Sequence, residues 1–187
     1  MTFTRLFATA AALLAVATAQ AQAPTPAELE RALTGRWQGE LVYRDYQSDR
    51  RFTLPLRTEV RLADDGATLT RESRFDDGPA RGIVLITTVS LYDASGMRVT
   101  AASFRRGREV ETLTEQARVL QHGGPTQWQA EWLRQGVDGD QPSDIRVTVT
   151  RRGDELRAVK EVRALRPAGG AEAAWVFRNE TVLRRQP

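Results

Sequence analysis

The chain has no cysteine in its 187 residues. That removes disulfides, an N-terminal lipidated Cys, thiol nucleophiles and thiolate metal sites together. It has one histidine, His122. A Ser-His-acid triad would have to be built on it, and no serine stands in a G-x-S-x-G elbow. Lysine is nearly missing: Lys160 stands alone among 27 basic residues. The arginines that replace it are interleaved with Asp and Glu along the chain instead of massed on one segment. A net charge of +3 therefore predicts no nucleic-acid partner. Beyond the first twenty-odd residues there is no long apolar run, so no membrane-spanning helix is expected after that leader.

The leader differs from everything after it. Arg5, the apolar run Leu6 to Ala17, and Ala19 and Ala21 in A-x-A order read as a secretory signal cut after Ala21. The expected domains are thus a signal peptide over 1–21 and one domain over 22–187, periplasmic or secreted. A chain of this size buries enough surface to fold without disulfides.

One short helix opens the domain. Thr25-Pro26-Ala27-Glu28 has capping-box form with Pro at N1, Leu29 and Leu33 give one apolar face, and Gly35 is expected to end it. From Arg36 onward the dominant period is two. Trp128, Ala130 and Trp132 alternate against Gln127, Gln129 and Glu131. Phe52, Leu54, Leu56, Val60 and Leu62 alternate against mostly charged neighbours, and Ile145, Val147 and Val149 do the same. One wet face per strand is the pattern of antiparallel sheets. Turn signals recur at short intervals: Asp64-Asp65-Gly66, Asp76 to Pro79, Asp93 to Gly96, Arg105 to Gly107, Gly123 to Pro125, Asp138 to Asp140, Arg152 to Asp154 and Pro167 to Gly170. They predict an all-β fold, an antiparallel meander of about ten strands. The need to dispose of two sheet edges favours a closed barrel over a two-sheet sandwich.

Leu33-Thr34-Gly35-Arg36-Trp37 at the head of this meander resembles the opening of the calycin superfamily, the lipocalins and fatty-acid-binding proteins. The resemblance implies a lipocalin-like barrel holding a small apolar or amphipathic molecule. It also implies a barrel-end motif in which an arginine of the last strand packs on Trp37 beside Gly35. Arg178 and Arg184 are the candidates, with Arg178 preferred. No haem or other cofactor is implied, since His122 neighbours a glycine-rich turn.

Candidate ligand-binding residues are of two kinds. Trp37, Tyr43, Trp128 and Trp132 lie on apolar faces and either line a cavity or fill the core. Arg71 and Lys160 lie on faces otherwise apolar. A charge there must find a carboxylate (Asp45 is one choice), reach water, or meet an anionic head group. Asp138-Gly139-Asp140 lacks the remaining calcium ligands and reads as a turn. No catalytic or metal-binding residue is assigned. The alternatives to a ligand carrier are a solid barrel that binds another envelope protein and, less favoured, a hydrolytic enzyme.

Overall fold

The structure, a computed structural model, describes residues 23–45, 48–165 and 173–187. The expected signal peptide and the Pro167–Gly170 turn lie outside the described residues. Those described form ten strands and two short helices in the order α1 (Pro26–Arg31), β1 (Gly35–Arg44), β2 (Arg51–Leu62), β3 (Leu69–Asp76), α2 (Gly78–Arg81), β4 (Ile83–Tyr92), β5 (Arg98–Arg105), β6 (Glu111–Gly124), β7 (Gln127–Asp138), β8 (Gln141–Arg152), β9 (Glu155–Ala164) and β10 (Val176–Arg185). Each strand pairs antiparallel with its neighbours in sequence, and β1 pairs with β10, so the meander closes into a barrel. Closure leaves no row of unpaired backbone groups at an edge.

Strand alternation sets the inner and outer faces. Leu56, Thr58 and Val60 of β2, Trp128, Ala130 and Trp132 of β7, and Leu156 and Val162 of β9 are buried. The outer faces carry cross-strand ion pairs: Arg146 with Glu161 at 2.8 Å, Arg163 with Asp144 at 2.7 Å, and Arg118 with Glu131. The interleaving of arginine with acid along the chain is the trace of these ladders, each pair worth about 0.2–1 kcal/mol. At the seam, Gly39 faces Leu183 across β1–β10. A Cβ at Gly39 would lie 1.9 Å from the Val182 carbonyl oxygen, so only glycine admits that approach.

α1 seats on one end of the barrel. Its capping box forms as the sequence predicts: Thr25 Oγ1 accepts from the Glu28 amide, and the Glu28 carboxylate accepts from the Thr25 amide. The helix stops at Arg31, short of Gly35, which opens β1 with φ +130°. Ala27, Leu29 and Leu33 are buried against Trp37, Trp128 and Leu183 in the main core. The free carbonyls at the helix C-terminus are met by cations. Arg151 donates to Ala32 O at 3.1 Å and Arg185 to Thr34 O at 2.9 Å, which satisfies them and complements the helix dipole.

Candidate functional site

Above α1 the barrel is hollow. A cavity of about 300 Å³ lies between the helix and the strands. Glu30 of α1 and Leu33, in the turn that follows it, form its floor. Val147, Val149, Leu156 and Ala158 of β8 and β9 form one wall, and Arg71, Thr88, Ser90, Ser103 and Glu115 of β3 to β6 contribute to the other. β8 and β9 stand across the ring from β3 and β4 in the strand order. The inward alternation of each strand places these side chains, so sheet closure assembles the site.

The floor is locked by one hydrogen-bonded chain. Trp132 Nε1 donates to the Tyr92 hydroxyl at 2.8 Å, and that hydroxyl donates to Glu30 Oε2 at 2.8 Å. Arg71 Nη2 donates to Glu30 Oε1 at 3.0 Å. Burial, reinforced by the negative charge of Glu30, pushes the Tyr92 phenol far up, so it stays neutral and donates. Glu115 is held differently. Arg134 Nε lies 3.4 Å from its Oε1, and that Nε is buried with no hydrogen-bond partner. Burial raises the Glu115 pKa above its usual range, against the opposing pull of Arg134.

Of the six sequence-predicted ligand residues, Arg71 and Trp132 line the cavity. Trp37 and Trp128 do not. Each is 2% exposed or less, and both fill the core at the α1 end, where Trp37 Nε1 donates to Leu33 O at 2.8 Å. Tyr43 sits toward the opposite end of the barrel, its ring stacked on Phe52 at 5.6 Å. Lys160 also lies outside the lining. Arg71 and Lys160 each meet a carboxylate, Glu30 for the first and Asp138 at 3.7 Å for the second. Glu30 sits on the helix, and Asp138, 2% exposed in its side chain, closes β7 facing inward. Both were hidden in the sequence, one by its element and one by its place in a turn signal.

The arginine on Trp37 is neither Arg178 nor Arg184. In the β1–β10 register Trp37 stands opposite Arg185, whose guanidinium lies 5.7 Å from the ring centre, with Arg151 at 5.6 Å. Arg178, seven residues back along β10 beside a register shift, reaches Asp138 at 2.6 Å. Arg184 faces outward and pairs with Glu155 at 3.1 Å. His122 lies at the end of β6, paired with Trp128, instead of in a loop. Among the described residues no group of His, Cys, Asp and Glu is placed to hold a metal ion, and no helix is long and apolar enough to cross a membrane. The arrangement can enclose a small molecule and offer it hydroxyl, carboxyl and guanidinium contacts.

No protein-family model and no curated protein matches this sequence. Among solved structures, Rv2717c from M. tuberculosis is similar with a TM-score of 0.58 at 15% sequence identity, covering 89% of this chain and 100% of that one. At that identity the likeness is one of fold.

Proposed function

We propose that this chain is an exported, lipocalin-like β-barrel that binds a small apolar or amphipathic molecule in its interior. The observation that carries the reading is the 300 Å³ cavity between α1 and the strands. Small-molecule sites begin at about 300 Å³, mostly apolar with a few placed polar groups, and this one has that composition. Gly35 and Trp37 at the head of β1, with Arg185 of the last strand over the indole, support placing the barrel among the calycins. The leader over 1–21 supports a periplasmic or secreted location.

Native mass spectrometry of the protein isolated from the envelope fraction of its own cells tests this reading. The expected spectrum shows a chain beginning at Gln22 with an added small-molecule mass that leaves on activation. A bare mass, with the chain still starting at Met1, would overturn it.

A second reading has its own observation. On the outer face of β4 and β5, Ile83, Leu85 and Phe104 are 59%, 40% and 45% exposed, and Val110, in the loop before β6, is 54% exposed. They share a groove with Arg81, Arg105, Arg106 and Arg108. An exposed apolar cluster of this kind favours docking of an envelope protein, alongside or instead of carriage.

A further inference from the structure

The polar groups of the cavity are not gathered at one end, as a head-and-tail ligand would require. Apart from Glu30 on α1 and Thr181 on β10, they are spread over the arc of β3 to β6, interleaved there with Leu69, Val99, Ala101 and Leu113. Arg71 stands opposite Thr88 across β3–β4, and Thr88 opposite Ser103 across β4–β5. The Thr88 and Ser103 hydroxyls lie 2.9 Å apart and bond to each other, which consumes one donor and leaves the other free. Ser90, one inward position further toward α1, lines the cavity with no hydrogen-bond partner for its hydroxyl among the described residues. Glu115 on β6 accepts no well-formed hydrogen bond from Arg134. Arg71 uses one of its five N–H groups on Glu30. The facing wall of β8 and β9 offers Val147, Val149, Leu156 and Ala158, and near it only the hydroxyl of Thr181 on β10 is polar.

Charge narrows the ligand further. Arg71 is answered by Glu30 and Arg134 by Glu115, so these pairs present no unbalanced charge to an occupant. A fixed charge on a ligand would therefore be desolvated without a compensating partner. Size narrows it again. An apolar cavity of about 150 Å³ holds one benzene, so twice that volume suits a molecule of about two fused rings.

We infer that the cavity selects a compact, uncharged, two-ring-sized molecule with hydroxyl groups along one edge, that edge against β3–β6 and the bare edge against β8–β9. This rests on the ligand-binding reading above. A flexible acyl chain would lay methylenes against the Ser90 hydroxyl and the donor that the Thr88–Ser103 pair leaves free, leaving both unmet at a cost. A hydroxylated ring edge satisfies both.

Calorimetric titration of the mature chain with three probes tests this: 2,3-dihydroxynaphthalene, naphthalene and decanoate. The diol is expected to bind at least about tenfold more tightly than either of the others, since two hydroxyl contacts at about 1 kcal/mol each exceed a factor of ten. In Ser90→Ala, checked for native circular dichroism, diol affinity should fall several-fold with naphthalene unchanged. Naphthalene or decanoate binding as tightly as the diol would overturn this inference and leave the carrier reading standing. An unchanged diol affinity in Ser90→Ala would also overturn it. No heat from any probe would take down both, and a cavity that holds only water would be the conclusion.

Discussion

Single residues in this barrel carry consequences out of proportion to their number. Glu115 is the clearest, because its carboxyl lines the cavity and burial raises its pKa above 4.5 despite Arg134. The folded state therefore holds that proton more tightly than the unfolded chain. Stability from this group is full below about pH 4.5 and drains as pH rises through the folded pKa. Glu115→Gln cannot titrate, so its melting temperature relative to wild type should climb as pH rises above 4.5 and then level off. Parallel pH profiles for the two proteins would contradict that. Asp65 behaves in the opposite sense. The Thr68 hydroxyl and amide and the Ala67 amide hold its pKa down at about 2, so its contribution is present above its usual value and lost as pH falls toward 2.

At the level of elements, α1 is the part whose role is set by packing instead of by its own propensity. Six residues are too few to be helical alone. Leu29 and Leu33 are 3% and 2% exposed, and Leu33 both floors the cavity and offers its carbonyl to Trp37 Nε1. Leu33→Ala should destabilise the protein by about 2–5 kcal/mol, read as a lowered urea midpoint, and enlarge the cavity. A loss under about 0.5 kcal/mol would mean the turn between α1 and β1 is dispensable to the core. Strands and turns were legible in the sequence because period-two alternation and Asp-Gly or Gly-Pro turns are local signals. So was the capping box at Thr25. The partners of Arg71 and Lys160 were not, because Glu30 and Asp138 are 41 and 22 positions away from them in sequence and meet them only through closure. Trp37 likewise takes Arg185, and not Arg178, from a register that no local pattern states. Of the four aromatics, alternation told which way each pointed but not how far along the barrel it lay. That distance separates Trp132, on the cavity, from Trp37 and Trp128, in the core beneath it.

For the molecule as a whole, closure is the organising fact. Pairing β1 with β10 removes the sheet edges and sets the β3–β6 arc, which carries polar groups among apolar ones, across from the apolar β8–β9 wall. It also leaves the middle open, since the large side chains Trp37, Trp128, Leu29 and Leu33 collect at the α1 end. Binding in that space should stabilise the folded state by mass action, by about 2.7 kcal/mol when ligand is a hundredfold above Kd. Diffraction from a crystal of the protein under xenon pressure tests the hollow interior most directly, because xenon enters apolar cavities that exist and leaves filled cores alone. An open barrel gives a xenon peak between Val99 and Leu113 on one side and Val147 and Val149 on the other. An interior closed by Trp132 and its neighbours, with no peak there, would contradict it.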